Sequence, residues 1–357
     1  MFVKALRHQY QPVAAHLIPI RRCNLACTYC NEYDDHSAPL ATPVLLRRID
    51  RLADLGTGII TLSGGEPLLH PDVEIIIRHI RRRGAIATII TNGYLLTRKR
   101  IRTLNLAGLD HLQISIDNVL PDDVSKKSLK VLDQKLRWLS ELREFDVTVN
   151  SVVGSGIMTP TDALTITLRA RELGFSTTVG IIHDGTGRLV PLDERQQEFL
   201  EQAVSAGRST FDYANYNRFQ RNLSRGKPNA WDCRAGSRYL YVCEDGLVHW
   251  CSQQRGHPGI PIEQYSGQDL REQYHAVKSC APFCTVGCVH RVAQVDELRL
   301  DPQRAIASWF TDPAGNASPA VPPAVRLLLW TFVTGKSRHL FRRAAVGVFG
   351  TDRQRTS

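Results

Sequence analysis

Between residues 13 and 183 the sequence alternates short apolar, β-branched runs with longer amphipathic segments. The runs that predict strands are Ala14–Ile20, Gly58–Ser63, Ala85–Thr91, His111–Asp117, Val147–Val153 and Ser176–His183. The segments that predict helices are Pro43–Leu55, Pro71–Arg83, Thr97–Ala107, Ser125–Phe145 and Thr161–Leu173. Such alternation gives a parallel sheet with right-handed crossovers. Since six strands are too few to close an eight-stranded barrel, we predict an α/β fold built on a partial (β/α)6 barrel of the TIM type.

Polar and glycine-rich residues follow these strands in series. They are Cys23, Cys27 and Cys30 after the first strand, Gly64, Gly65, Glu66 and Pro67 after the second, Thr91 and Asn92 at the end of the third, Ser115 and Asp117 at the end of the fourth, Asn150 in the fifth, and His183 and Asp184 at the end of the sixth. Sites in parallel α/β folds lie at the carboxyl ends of the strands. We therefore expect these residues to meet in one site.

The cysteines are unevenly distributed along the 357 residues. Three fall at positions 23–30, and the other six are Cys233, Cys243, Cys251, Cys280, Cys284 and Cys288. The sequence lacks a signal peptide and any apolar run near the roughly 20 residues that cross a bilayer, so we expect a cytoplasmic protein. Disulfides are rare in that compartment, and clustered cysteines there indicate metal or redox chemistry. Two separate metal centres are the natural interpretation.

The group Cys23, Cys27 and Cys30 is one ligand short of a closed site. Structural zinc takes four ligands, and iron–sulfur cubes ordinarily take four thiolates. Either a partner such as His36 completes a zinc site, or one coordination position is open to another molecule.

Cys-x3-Cys-x2-Cys after one strand, an aromatic residue (Tyr29) before the last cysteine, and a second strand ending in Gly-Gly-Glu-Pro resemble the radical S-adenosylmethionine (SAM) superfamily. The resemblance covers roughly residues 13 to 184. It implies that three thiolates hold a 4Fe–4S cluster whose fourth iron is chelated by SAM. Reductive cleavage of SAM would then yield a 5′-deoxyadenosyl radical that abstracts hydrogen from a substrate, with the cofactor supplying the hard chemistry.

The same resemblance implies roles for the residues at the strand ends. The backbone of Gly64 and Gly65 would approach the methionine amino group, with Glu66 offering a carboxylate and Pro67 completing the motif. Tyr29 would lie against the adenine. Ser115, Asp117 and Asn150 would contact the ribose or methionine part, with Thr91 and Asn92 at the same rim. Plain capping roles are the alternatives for Ser115, Asp117 and Asn150. His183 and Asp184 are the candidate catalytic acid or base.

The later cysteines resemble the auxiliary-cluster domains called SPASM and twitch, because Cys233 is followed by Gly246-x4-Cys251. The pattern then departs, since Cys280-x3-Cys284-x3-Cys288 replaces the longer SPASM series. Six thiolates are too few for two fully ligated cubes, so one auxiliary 4Fe–4S cluster is favoured over two. Cys233 and Cys251 are the expected ligands, joined by two of the last three cysteines. Cys243 is a ligand or a core residue, and structural zinc is an alternative for this module.

We predict four segments: a radical SAM barrel over 1–190, a helical linker over 191–227, an auxiliary-cluster domain over 228–300 and a basic tail over 301–357. Within the tail, the run from Arg326 to Arg343 carries five Lys or Arg residues and no acid. Such a segment suits an anionic membrane face and a lipid substrate, or else covers the open side of the barrel.

Substrate and partners are less constrained. The resemblance implies a reductant such as flavodoxin or ferredoxin, and a small molecule, lipid or peptide as substrate. Because only 22 residues precede Cys23, an amino-terminal peptide-recognition domain is not expected, which lowers the case for ribosomal peptide maturation. The net charge of +10 leaves a basic zinc protein that binds nucleic acid as the alternative class. Dispersed basic residues and the Gly64–Pro67 motif argue against nucleic acid.

Overall fold

The computed structural model describes residues 8–154, 156–157, 159–183, 189–207, 216–301 and 305, with the side chains of 216–218 excepted. Its strands form one sheet in the order β6-β5-β4-β3-β2-β1-β7-β8-β9. The strands are β1 (Ala14–Ile20), β2 (Ile59–Gly64), β3 (Ile86–Thr91), β4 (His111–Ser115), β5 (Asp146–Gly154), β6 (Ser176–Ile182), β7 (Tyr239–Val242), β8 (Leu247–His249) and β9 (Pro258–Pro261). Strands β1 to β6 are parallel to their neighbours, which confirms the predicted partial barrel.

Helices lie between the parallel strands and after the last strand of the sheet. They are α1 (Thr42–Asp54), α2 (Val73–Arg82), α3 (Arg98–Ala107), α4 (Leu129–Leu142), α5 (Thr161–Glu172), α6 (Glu194–Ala206), α7 (Tyr216–Ser224), α8 (Gly267–His275) and α9 (Gly287–Leu300). Their apolar faces pack on the sheet; Leu45 and Ile49 of α1, for example, join the main core with Leu17 of β1. The predicted strands and most helices are confirmed to within one or two residues.

Helix α4 begins later than the predicted residue 125. The backbone N–H of Ser125 donates to Asp122 Oδ1 at 2.7 Å, and its hydroxyl donates to Asp117 Oδ2 at 2.7 Å. These bonds hold residues 122–128 as a loop across the end of β4, so α4 starts only after Ser128. Strand β4 also ends at Ser115, because the N–H of Asp117 donates to Lys127 O in that loop at 2.8 Å.

The inner face of β4 to β6 is polar. Asn150 of β5 lies in register with Ser115 of β4 and Thr178 of β6, and Thr178 Oγ1 donates to Asn150 Oδ1 at 2.8 Å. Closed barrels fill their interior with branched apolar side chains. The polar lining here leaves room for a hydrogen-bonding ligand inside the partial barrel.

Strand β7 pairs in parallel with β1, so the cysteine-rich segment continues the barrel sheet. The Asp245-Gly246 hairpin forms as predicted: β7 and β8 are antiparallel, and Gly246 has a φ of +84°. Periodicity did not predict the β1–β7 pairing, since β7 is separated from β1 by more than two hundred residues.

None of the helices in the described part of the chain is long and apolar enough to cross a membrane. The basic run Arg326–Arg343 lies outside the described residues, so its proposed membrane contact stays a prediction.

Candidate active site

The first three cysteines lie in the loop between β1 and α1. The N–H of Cys23 donates to Asp34 O at 2.9 Å, and that of Thr28 donates to Val124 O in the loop after β4 at 3.1 Å. Cys27 is buried, whereas Cys23 and Cys30 are half-buried. Burial raises the pKa of Cys30 to about 11, and burial also raises the pKa of Cys23.

The sulfur atoms of this group do not all lie within 4.8 Å of one another. Four thiolates about 2.3 Å from one zinc ion would lie roughly 3.8 Å from one another. Among the described residues, which include all nine cysteines, no three cysteine sulfurs lie within 4.8 Å of one another. The spacing therefore suits a polynuclear cluster better than a mononuclear zinc site.

The Gly64–Pro67 turn approaches the cysteine loop closely. A Cβ at Gly65 would lie 2.2 Å from Arg21 O and 2.3 Å from Arg22 O. Gly64 has a φ of +109°, and Glu66 N donates to Arg22 O at 3.0 Å. Only glycine permits this approach of β2 to the strand that leads into the cysteines.

Glu66 is completely buried and joins the ends of two strands. Its Oε1 accepts from Leu68 N at 3.0 Å and from the Thr91 hydroxyl at 2.7 Å, while its Oε2 accepts from Asn92 N at 2.8 Å. Burial raises its pKa despite these bonds. The carboxylate that the sequence offered to a cofactor is thus used to brace β2 against β3.

Asn92 reaches the first cysteine. Its Nδ2 donates to Cys23 Sγ at 3.6 Å and to Asn24 Oδ1 at 2.8 Å, and its Oδ1 accepts from Tyr94 N at 3.0 Å. Asn92 therefore contacts the thiol itself, whereas the resemblance assigned it to the cofactor rim.

Tyr29, Asp117 and Lys127 form a buried ionic group. Tyr29 OH donates to Asp117 Oδ2 at 2.5 Å, and Lys127 Nζ lies 3.1 Å from the same oxygen and donates to the Tyr29 hydroxyl. Burial lowers the pKa of Lys127, but the charge of Asp117 and the contact with Tyr29 outweigh it and raise that pKa well above its usual range. Ser125 extends the group, since its Oγ lies 3.5 Å from Cys27 Sγ.

A cavity of about 270 Å³ opens beside this group. It is lined by Tyr29, Cys30, Ser115, Asp117, Lys127, Asn150, Thr178, Gly180, His183, Gln253, Cys288 and Arg291, among others. The Oδ1 atom of Asp117 is buried without a hydrogen-bond partner among the described residues. The structure thus brings Tyr29, Ser115, Asp117, Asn150 and His183 together, while Asp184 lies outside the described residues.

In the second cysteine group, the charges of four thiols act on one another: Cys233, Cys251, Cys280 and Cys284. Burial raises the pKa of Cys251 to about 12, with further increases from Cys233 and Cys280. Burial also raises the pKa of Cys284, with contributions from Cys251, Cys233 and Cys280, and Cys280 raises that of Cys233. Every pair in this set interacts, which favours it as a four-thiolate ligand set.

Cys288 and Cys243 lie apart from that set. Cys288 lines the cavity, and the charges of Arg291 and Glu32 act on it. Cys243 Sγ accepts from Arg255 Nη2 at 2.8 Å and lies within 4.8 Å of Asp245 and His249 side-chain atoms. His249 Nδ1 accepts from Gly256 N at 2.9 Å, so a neutral ring carries its proton on Nε2. A protonated Nε2 cannot bind metal, which favours a core role for Cys243.

Several site residues carry no sequence signal of their own. Lys127 belongs to an ordinary-looking basic pair, and Gln253 and Arg291 are isolated polar residues. Gln253 Oε1 accepts from Asn31 Nδ2 at 3.1 Å, and its Nε2 lies 2.6 Å from His183 Nε2. Only the β1–β7 pairing brings it to the first cysteine loop.

The partial barrel thus carries three cysteines, a close-packed glycine turn and a cavity at the ends of its strands, which is where enzymes with a parallel barrel bind their ligands. Residues 17–186 match the family model described as "Radical SAM superfamily". These residues form a radical SAM domain, and the chain is an enzyme. The alternative of a zinc protein that binds nucleic acid is set aside.

Curated relatives are similar over different lengths. The chain is 26% identical to the PqqA peptide cyclase of Ruegeria pomeroyi over 281 residues, 74% of each protein. It is 41% identical to the PqqA peptide cyclase of Methylocella silvestris over 100 residues, 27% of each. It is 38% identical to the probable GTP 3',8-cyclase of Pyrobaculum aerophilum over 115 residues, 31% of this chain and 37% of that one. The last two matches thus cover well under two thirds of those relatives.

Solved structures agree on the fold. Streptococcus suis SuiB bound to precursor peptide SuiA has a TM-score of 0.57 and 14% identity, covering 82% of this chain and 75% of that one. SuiB bound to S-adenosylmethionine has a TM-score of 0.55 and 14% identity, covering 81% and 75%.

Proposed function

We propose that Cys23, Cys27 and Cys30 hold a 4Fe–4S cluster and that SAM occupies the adjoining cavity. When bound, this pair supplies the chemistry of the family, reductive cleavage of SAM to a radical that removes hydrogen from a substrate. The observation that carries the proposal is the closeness of Gly65 to the cysteine loop, with the cavity and its unpaired Asp117 oxygen next to it.

The chain's own residues orient the ligand. The Gly64–Pro67 turn packs against the backbone of Arg21 and Arg22, just before Cys23, and the hydrogen bond from Thr91 to Glu66 holds that turn. Tyr29, Ser115, Asp117 and Asn150 offer one aromatic ring and hydrogen-bonding groups around the cavity. Lys127 adds a fixed positive charge beside the cavity, which suits the carboxylate of an amino-acid moiety. His183, held by Gln253, is the candidate proton donor or acceptor at the far wall.

We assign the auxiliary cluster to Cys233, Cys251, Cys280 and Cys284, in agreement with the expectation of one four-thiolate centre. Lys278 supports this assignment: it is buried, and its charge acts on Cys233 and Cys280. A buried cation stabilises a cluster whose thiolate ligands are negatively charged. The reductant that serves both centres would be a small electron carrier of the flavodoxin or ferredoxin class.

A peptide is the substrate class that we favour. The relative matched over 74% of both chains is named a peptide cyclase. The similarity over 281 residues favours a peptide over the small-molecule and lipid alternatives.

The test of the radical chemistry is anaerobic reconstitution with iron and sulfide, followed by SAM and dithionite. We expect 5′-deoxyadenosine and methionine from the wild type and from a Cys284→Ala variant, because the latter keeps the first cluster. The Cys23→Ala variant should release neither. Release by Cys23→Ala equal to that by wild type would overturn the proposal.

The test of substrate class uses synthetic peptides encoded by short reading frames beside this gene, with isoprenoid lipid in liposomes as the comparison. Stimulated 5′-deoxyadenosine release together with loss of hydrogen from the peptide, seen by mass spectrometry, is the expected result. Stimulation by the lipid and not by any peptide would contradict it.

A further inference from the structure

We infer that Asn92 is a positioning residue for the first cluster: its amide donates a hydrogen bond to the sulfur of Cys23 and thereby raises the reduction potential of the cluster. This inference rests on the proposed ligand role of Cys23. The Nδ2–Sγ distance is 3.6 Å, and Asn92 is buried.

The orientation of the amide is fixed by its partners. Asn92 Oδ1 accepts from the N–H of Tyr94, so the Nδ2 end must face Cys23 and Asn24. The amide has two N–H groups. One meets Asn24 Oδ1 at 2.8 Å and the other meets Cys23 Sγ, so both donors are used.

The backbone of Asn92 is held as firmly as its side chain. Its N–H donates to the buried carboxylate of Glu66, which also binds the Thr91 hydroxyl. The Glu66 carboxylate, which joins β2 to β3, therefore also fixes the position of the Asn92 amide relative to Cys23. An N–H donor placed by such a brace keeps its direction whether the sulfur is a thiol or a metal-bound thiolate.

Hydrogen bonds to cluster sulfurs are one of the factors that set iron–sulfur potentials. A donor stabilises the extra negative charge of the reduced cluster, so its removal makes the cluster harder to reduce. Cys23 also receives a hydrogen bond from the backbone N–H of Leu25, which mutation cannot remove. Asn92 is thus the adjustable donor at this thiolate.

The experiment is a redox titration of the reconstituted protein followed by electron paramagnetic resonance, in which the first cluster is recognised by the change of its signal on addition of SAM. Asn92→Asp keeps an oxygen for Tyr94 N and loses the N–H to sulfur, whereas Asn92→Ala loses the donor without adding charge. We expect a lower midpoint potential of the first cluster in both variants and an unchanged auxiliary signal.

Asn24→Ala is the matched control, since it removes the second acceptor of the same amide and leaves the donor to Cys23. Its midpoint should stay at the wild-type value or rise. Equal midpoints in wild type and in Asn92→Ala, with full iron content and an unchanged thermal melt, would overturn the inference. Failure of the proposed function would instead show as a protein that binds iron but whose signal does not respond to SAM.

Discussion

The hydroxyl of Tyr241 donates a hydrogen bond to the carboxylate of Glu32, so strand β7 holds the loop that carries the first three cysteines. Two further contacts run in parallel: Arg21 Nη1 lies 3.2 Å from Glu244 Oε1, and Asn31 Nδ2 donates to Gln253. The cysteine-rich segment therefore supports the first site before any metal is considered.

Replacement of Tyr241 by Phe should cost about 1–3 kcal/mol of unfolding free energy, because it leaves the half-buried Glu32 carboxylate without the hydroxyl group that donates to it. Chemical denaturation of the apoprotein measures the loss. Tyr33→Phe, in the same loop, is the control and should change stability by less than about 0.5 kcal/mol. Equal stability of wild type and Tyr241→Phe would contradict the role of this bond.

Lys127→Met should destabilise the protein by about 3–5 kcal/mol, because Asp117 would keep a buried charge without its counter-ion. Lys126→Met is the matched control: its side chain is 49% exposed, against 15% for Lys127, and pairs only with the exposed Asp123. We expect the control to lose less than about 1 kcal/mol. Similar losses of unfolding free energy in the two variants, measured by urea titration, would contradict the role of the Lys127–Asp117 ion pair.

Cys284→Ala should lose the auxiliary cluster and so about half of the roughly eight iron atoms expected for two cubes. Cys288→Ala should retain all of them, because Cys288 faces the cavity rather than the four-thiol group. Iron analysis after anaerobic reconstitution distinguishes the variants. Iron loss in Cys288→Ala with retention in Cys284→Ala would reverse the ligand assignment.

The buried His16 should make the folded protein less stable in acid. Burial lowers its pKa to about 4 in the folded protein, against about 6.5 in an unfolded chain. As the pH falls from about 6.5 to 4, the unfolded state binds a proton that the folded state does not, so the unfolding free energy falls, by of order 3 kcal/mol.

A His16→Gln variant should lack that part of the pH dependence. Denaturation at pH values across this window measures it, and His36→Gln, an exposed position, should behave like wild type. If the unfolding free energy of His16→Gln depends on pH as it does in wild type, groups other than His16 cause the loss of stability in acid.

The barrel could be predicted because its strands appear in the sequence as short apolar, β-branched runs and its helices as longer amphipathic segments. The Gly64–Pro67 turn and the three cysteines could be placed for the same reason, since a parallel fold brings strand ends together. The Tyr29–Asp117–Lys127 group could not, because the loop after β4 folds back through bonds of Ser125 that leave no periodic trace.

Only two of the four proposed ligands of the auxiliary cluster could be predicted from the sequence. Spacing favoured Cys233 and Cys251, but the choice among Cys280, Cys284 and Cys288 depends on how the chain turns between them. Cys280 and Cys284 flank the short helical turn Ala281–Phe283, while Cys288 lies in the first turn of α9 and lines the cavity. The bonds from Glu66 to Thr91 and Asn92, which join β2 to β3, likewise could not be predicted from the sequence.

Strand β1 lies between β2 and β7, with Leu17 opposite Leu62 on one side and Val242 on the other. Neighbouring strands are held about 4.8 Å apart by backbone hydrogen bonds, so the separation of the two cysteine groups is set by main-chain geometry, which side-chain substitution scarcely alters. Electron transfer between two centres falls steeply with distance. With clusters at both proposed ligand sets, such a chain can exchange the residues that line its cavity, and with them its substrate, while the path of the electron between the clusters keeps a constant length.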